Sequence, residues 1–310
     1  MRIVVTGGTG FLGKPLVEHL VALGYECTVL TRDPRRAATC GLPPTVTFAP
    51  LAELPPTDAV IHLAGESIVG LWSARKKRAI LASRVEGTRR LVAALRNAKN
   101  RPHTLLSASA VGFYGDRPGE LLDETCTCDP RLGFRADVCR AWEAAANEAD
   151  SLGIRVVNLR ISNVMDRAGG YLGGLLPIHR AFGGFVIGNP DAAIPWISRV
   201  DCVRLIAFAL ANERWYGPLN LTNPELLTHR RFAQTIAKSI RRPCWGRVPE
   251  RLLRLVLGEF ASALLEDQRV IPAKAAAAEF TFANPTWDAL LRESFGSEAE
   301  RAACQPVLAR

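Results

Sequence analysis

Apolar positions in the first half of the chain come in two alternating forms. Short unbroken runs of β-formers, which read as strands buried on both faces, alternate with longer segments whose apolar residues recur every three to four positions, which read as amphipathic helices. The strand-like runs are Arg2–Thr6, Glu26–Thr31, Val46–Phe48, Asp58–Gly65, His103–Ala108 and Ile154–Leu159. The helix-like segments between them are Phe11–Leu23, closed by Gly24, then Lys76–Arg96 and Phe134–Ala149. Strand and helix in strict alternation predict an α/β fold of the doubly wound kind, a parallel sheet with helices on both faces.

The rhythm breaks after Arg160. Gly169-Gly170, Gly173-Gly174 and Gly183-Gly184 bracket a segment read as loop-rich, with Tyr171, Leu172 and Phe182 among the glycines. The stretch of about 165–190 is therefore expected to act as a lid over a ligand. Further on, Ile194–Ser198 reads as a strand, Val200–Ala211 as a helix and Leu219–Leu221 as a short extended piece. Thr228–Ile240 and Pro249–Leu265 read as two helices. The expected organisation is a nucleotide-binding domain over 1–222 and a small, mainly helical domain over 223–310.

The chemistry concentrates where the first strand meets the first helix. Gly7, Gly10 and Gly13 follow Arg2–Thr6 directly and open the helical segment. Strand, glycine turn and helix together form the context of a dinucleotide fingerprint. The first glycine permits the turn, the second lets a pyrophosphate reach the backbone, and the third lets helix and strand pack closely. Free N–H groups at the helix start then face the phosphates. Gly7, Thr9, Gly10, Phe11 and Leu12 are the expected cradle, with Gly13 behind it. A carboxylate at the end of the second strand suits a ribose 2′-hydroxyl, whereas an arginine suits a 2′-phosphate. Thr31 and Arg32 stand there, so NADP is expected over NAD, although Asp33 offers a carboxylate if the strand ends later. The strand ending His62-Leu63-Ala64-Gly65 leaves small residues where a cofactor ring can lie against backbone, and His62 inside it reads as a core histidine.

Composition narrows the rest. At 48% hydrophobic and 22% charged, the 310 residues are ordinary for a globular protein. No leader pattern precedes the first strand and no apolar run reaches spanning length, so a cytoplasmic protein with no membrane partner is expected. The net charge is +9, but the basic pairs are scattered and no aromatic residues interleave them. That excludes a nucleic-acid platform and leaves a phosphorylated small molecule as the expected partner. The eight cysteines show no zinc spacing, so no metal is expected.

The motif Thr6–Gly13, the strand end His62–Gly65 and the stretch Ser107–Gly115 resemble the extended short-chain dehydrogenase/reductase superfamily. Closer agreement appears with an atypical, epimerase-family branch. It rests on Ala64–Ile68, Trp72, Ser83-Arg84, Thr88-Arg89, Ser109–Gly115, Trp142–Ala145, Pro195–Ile197 and Gly217–Thr222. Arg242-Pro243, Val248-Pro249, Leu257–Glu259 and Gln268–Pro272 resemble the small domain that ends that branch. The resemblance implies cofactor contacts from Leu63, Ala64, Gly65, Arg84, Ser107 and Arg160. It also implies a catalytic Tyr-x-x-x-Lys pair, in which the lysine lowers the tyrosine pKa and holds the ribose. The corresponding positions here are Arg135 and Cys139, and no Tyr-x-x-x-Lys occurs anywhere in the chain. Ser109 as a polarising hydroxyl, Tyr114 as an acid and Glu66 as a base or ribose ligand remain as catalytic candidates. Two functions stay open: an NADP-dependent oxidoreductase or epimerase with unusual proton chemistry, and an NADP(H)-binding sensor or scaffold without turnover.

Overall fold

The computed structural model describes residues 1–50, 53–128 and 133–296. Its centre is a seven-stranded, wholly parallel sheet. The first five strands are β1 (Arg2–Thr6), β2 (Glu26–Thr31), β3 (Thr47–Pro50), β4 (Ala59–His62) and β5 (Thr104–Ala110). A two-residue strand, β6 (Leu121–Leu122), lies outside the sheet, which is completed by β7 (Arg155–Ile161) and, after four short strands, by β12 (Gly217–Leu221). Those four are β8 (Asn163–Asp166), β9 (Gly184–Ile187), β10 (Ala193–Ile194) and β11 (Trp196–Ser198). The order across the sheet is β12-β7-β5-β4-β1-β2-β3, so the chain reverses its direction of winding between β1 and β4. Ligands of such sheets bind outside the strand C-termini at that reversal.

Successive side chains of a strand face opposite ways, and the two faces of β1 show it. Ile3 and Val5 point into a core shared with Leu16, Val17 and Leu20 of α1 (Gly13–Ala22), while Val4 points into a core with Leu91, Val92 and Leu95 of the third helix. After the four-residue α2 (Pro34–Ala37), that third helix is α3 (Ala74–Asn97), and α4 (Phe134–Asn147) lies on the same face. On the α1 face lies α6 (Arg199–Ala211), which follows α5 (Gly170–Phe182) in sequence and whose Cys202, Leu205, Ile206 and Ala209 close that core. A third core joins α5 to α7 (His229–Ser239) and, at the far end, α11 (Trp287–Phe295). It is built on Leu172, Leu176, Phe232, Ile236, Trp287 and Leu290.

The structure departs from the sequence reading in three places. The segment expected to be loop-rich is mostly the helix α5, with Leu172, Leu176 and His179 buried along one side. Its leading glycines serve close packing, because a Cβ on Gly170 would sit 2.2 Å from the Val164 carbonyl and one on Gly169 2.7 Å from the Phe11 ring. The expected strand Ile194–Ser198 is divided at Pro195, which has no N–H to give a ladder. β10 pairs with β13 (Leu227–Thr228), and β11 pairs with β8. The expected helix Pro249–Leu265 breaks into α8 (Glu250–Leu257), a 3₁₀ turn and α9 (Ser262–Leu265), because Gly258 adopts a left-handed φ of 57°. The sequence reading also missed β14 (Cys244–Val248), which pairs with β9. β15 (Arg269–Val270) pairs with β6, and α10 (Ala273–Ala277) follows it. Of the expected small domain 223–310, residues 297–310 lie outside the described residues. No described helix is long and apolar enough to cross a membrane.

Candidate nucleotide and ligand site

The glycine turn sits at the C-terminal edge of β1. Gly7 has φ 73°, and its carbonyl accepts the Gly10 N–H at 3.0 Å. A Cβ on Gly7 would lie 2.9 Å from the Ala64 nitrogen, so the loop after β4 crosses directly over the turn. A Cβ on Gly13 would lie 2.0 Å from the Gly7 carbonyl, which binds α1 against the strand. Gly10 differs: a Cβ there would meet only the Gly7 carbonyl, at 3.2 Å, and the residue is exposed together with Thr9 and Phe11. The N-cap of α1, Leu12, supplies no side-chain acceptor and the first turn holds no acid. The helix therefore presents uncapped N–H groups and the positive end of its dipole to the open side of the turn, an arrangement suited to an anion.

Around this turn the other expected residues fall into two groups. Leu63 donates its N–H to the Thr6 carbonyl at 3.1 Å, and Ala64 donates to Thr6 Oγ1 at 3.3 Å. Thr31 ends β2, and Arg32 beyond it is exposed. Asp33 is the N-cap of α2, accepting from the Arg36 N–H at 3.1 Å, so its carboxylate is engaged locally. Arg84 braces the loop after β4: it donates to the Glu66 carbonyl at 2.9 Å, lies over the Trp142 ring and flanks Gly65. Glu66 pairs with Lys76 at 2.8 Å, and that hydrogen bond and the charges of Lys76, Arg84 and Arg32 hold its carboxyl below the usual carboxylate range.

The second group is a buried polar chain beyond β5. Ser109 donates to Glu143 Oε1 at 2.7 Å, and Arg160 grips both oxygens of that carboxylate at 2.9 and 3.0 Å. Arg160 also donates to the Tyr114 hydroxyl at 2.9 Å and lies 3.5 Å from the centre of the Phe113 ring. The Tyr114 hydroxyl lies 2.7 Å from Asn220 Oδ1 and 2.9 Å from the Asp123 carbonyl. The side chains of Ser109, Glu143, Arg160, Tyr114 and Asn220 are all buried, and burial pushes the Tyr114 hydroxyl up to about 12. Ser107, two residues before Ser109 on β5, is fully buried and its hydroxyl has no partner. The sequence reading named Ser109, Tyr114 and Arg160 as site residues, whereas Glu143 and Asn220, which join them, entered only inside the family motifs Trp142–Ala145 and Gly217–Thr222. A signal was present: Glu143 and Arg160 are single charges inside two buried runs, and buried charges of opposite sign need each other.

The two positions that the resemblance assigns to a Tyr-x-x-x-Lys pair, Arg135 and Cys139, have protein surroundings of their own. Arg135 forms an ion pair with Glu266, and Cys139 is buried, which pushes its thiol up to about 12. Beside Arg135 lies a cavity of about 10 Å³, lined among others by Asn163, Tyr171, His229 and Gln268. Gln268 donates to the carbonyls of Val111 and Gly115, so the cavity adjoins the 3₁₀ turn (Val111–Tyr114) that follows Ser109. The Tyr171 hydroxyl is buried without a partner. The space suffices for about one water molecule, so a larger ligand enters only if the walls move.

Two histidines give the fold a pH dependence. His62 has Thr6 Oγ1 at 2.6 Å from Nδ1 and Thr88 Oγ1 at 3.1 Å from Nε2, a core histidine as the sequence suggested. Burial pushes both His62 and His229 down to about 4. An unfolded histidine takes up a proton near pH 6.5, whereas these two stay neutral in the fold until about pH 4. Stability is therefore lost as pH falls through that window, by about 2 kcal/mol per histidine at pH 5. Urea midpoints at pH 7 and pH 5 test this, and His229→Gln should lower the difference by that histidine's share, about 2 kcal/mol.

The sheet reversal, the glycine turn at its edge and the uncapped helix behind it define a Rossmann-type dinucleotide fold. The profile of the NAD dependent epimerase/dehydratase family matches residues 3–221, and a Domain of unknown function (DUF1731) matches residues 248–294. The chain belongs to that family, within the extended short-chain dehydrogenase/reductases. It is 34% identical over 289 residues to the epimerase family protein YfhF of Bacillus subtilis, covering 91% of this chain and 94% of that one. It is 35% identical over 292 residues to the chloroplastic SDR39U1 homolog of Arabidopsis thaliana, covering 91% and 83%. The crystal structure of human epimerase family protein SDR39U1 with NADPH superposes with a TM-score of 0.85 at 31% identity, covering 95% of this chain and 99% of that one.

Proposed function

We propose that this protein binds NADP(H) on the Gly7–Gly13 turn and serves as an oxidoreductase or epimerase-type enzyme with a small-molecule substrate. The observation that carries the cofactor reading is the open side of Gly10, where an uncapped helix start faces outward. The similar human protein crystallised with NADPH supports the phosphorylated form of the cofactor. So does the second strand's end, where Arg32 is exposed and Asp33 is occupied in capping α2. The pyrophosphate contacts fall to Thr9, Gly10, Phe11 and Leu12, and the 2′-phosphate to Arg32. When bound, the nicotinamide supplies the hydride chemistry, and the chain's residues position it and its substrate.

The buried chain narrows which proton steps these residues can perform. A hydroxyl has one hydrogen, and that of Ser109 is directed at Glu143, a carboxylate already held by Arg160. Ser109 thus offers lone pairs to a ligand, and it accepts from a hydroxyl or amide rather than polarising a carbonyl. Tyr114, buried and raised to about 12, holds the site's shape. The substrate's place is the small cavity beside Arg135, opened by movement of its walls. The alternative, binding without turnover, draws its support from the same commitment of Ser109, Arg135 and Cys139 to protein partners.

Identifying the nucleotide bound to purified protein, then following NADPH consumption with carbonyl and nucleotide-sugar substrates, separates the two readings. Arg32→Ala tests the cofactor preference by itself. Charge-assisted bonds to the 2′-phosphate are worth about 1.5–3 kcal/mol, so NADPH should bind about ten- to a hundredfold more tightly than NADH. Calorimetry should show most of that difference gone in the variant. Equal affinities in the unmodified protein would remove Arg32 from the site.

A further inference from the structure

An open cleft on the side of the molecule formed by α5, α7 and α11 has no part in the site above. It has a volume of about 470 Å³ and is lined by Arg167, Arg180, Ser239, Ile240, Arg242 and Phe295. We propose that it binds a small ligand carrying a di- or triphosphate, with the body of the ligand against Ile240 and Phe295.

The three arginines arrive from three separate segments. Arg167 follows β8, Arg180 is in the last turn of α5, and Arg242 lies between α7 and β14. Arg167 is fixed in advance: it donates to the Ser294 carbonyl and lies 4.8 Å from the centre of the Phe295 ring. The guanidinium groups of Arg180 and Arg242 make no hydrogen bond or ion pair with any described residue. Among the described residues no acid lines the cleft. The acids nearby on α11 are engaged, Glu293 with Asn284 and Asp288 with Arg231.

A competing account is that the arginines only offset helix dipoles, since α5, α7 and α11 all end here. Each helix C-terminus carries about half a negative charge, so three of them neutralise roughly 1.5 of the three positive charges. About half of the cationic charge is left over. Only Arg167 reaches a helix-end carbonyl, whereas a dipole role for the other two would bring them onto carbonyls as well. Arginine forks match phosphate oxygens two at a time, and clustered forks favour adjacent phosphates over a single monoanion. The volume lies within the range of small-molecule sites, about 300–1,000 Å³. Ile240 with Phe295 adds an apolar surface, while the Ser239 hydroxyl is spent on the Thr235 carbonyl at 2.9 Å and leaves the phosphate contacts to the arginines.

The test titrates inorganic pyrophosphate into the full chain by calorimetry, against sulfate at matched ionic strength. One equivalent of pyrophosphate should bind at least tenfold more tightly than sulfate. Arg180→Ala/Arg242→Ala should remove that equivalent, or weaken it at least tenfold, while NADPH affinity and the thermal midpoint stay unchanged. Both side chains are exposed and unpartnered, so the double variant should fold normally. Two results would overturn the proposal: pyrophosphate binding no better than sulfate, or pyrophosphate binding intact in the double variant, which would place it on the glycine turn instead.

Discussion

Gly10→Val should lower NADPH affinity by at least a hundredfold while leaving the folded protein intact. The two halves of this result have separate causes. In the protein alone, a Cβ at residue 10 meets one carbonyl, at 3.2 Å, which need shift only by a few tenths of an ångström, and the backbone there is not left-handed, so valine is far better accommodated than at residue 13. Its branches project from the exposed side of the turn, where a pyrophosphate would approach. Losing two charge-assisted bonds from backbone N–H groups is worth about 3–6 kcal/mol, which is a hundredfold or more. Gly13→Ala is the contrasting control. Its Cβ would fall 2.0 Å from the Gly7 carbonyl and 2.7 Å from the Gly8 Cα, so strand and helix must separate and the thermal midpoint should drop. Calorimetry and thermal melts on both variants distinguish the roles. An unchanged NADPH affinity in a well-folded Gly10→Val protein would count against the whole cofactor reading.

Arg160→Met should be the most destabilising of the buried-network substitutions, at about 3–5 kcal/mol. It removes the cation that holds both oxygens of Glu143 and leaves a carboxylate buried against a partner of similar volume but no charge. It also takes a donor from Tyr114. A domain of ordinary stability has about 5–15 kcal/mol to lose, so the variant should be close to unfolding at 37 °C. Most of the cost is the unpaired charge rather than a lost attraction, and a second substitution exposes this. In Arg160→Met/Glu143→Gln the amide still accepts from Ser109 and no charge is stranded, so more than half of the lost stability should return. Urea denaturation of the two single variants and the double variant gives the coupling directly. Additive effects would mean that Arg160 and Glu143 act independently, and the account of the chain from Ser109 to Asn220 would fail.

What the sequence determined by itself was the frame. Arg2–Thr6 can only be a doubly buried strand, and glycines at 7, 10 and 13 fit only a turn where backbones nearly touch, because the reasons are local: side-chain period and the absence of a Cβ. The alternation of strand and helix through Leu159 likewise pointed to a parallel sheet, since parallel strands need crossovers. The tertiary structure decided everything that depends on residues distant in the chain. Ser109, Glu143, Arg160 and Asn220 span more than a hundred positions, and only the order β12-β7-β5 brings them together. That proximity turns Ser109 from an available donor into an acceptor, a change no local pattern records. The same holds for 169–184, where paired glycines read as mobility. Those glycines instead admit the Phe11 ring and the Val164 carbonyl, and Tyr171, Leu172 and Leu176 among them find a core supplied by α7 and α11, while Phe182 stays exposed. Burial against partners far along the chain overrode local propensity, because tertiary packing supplies most of a helix's stability in a folded protein.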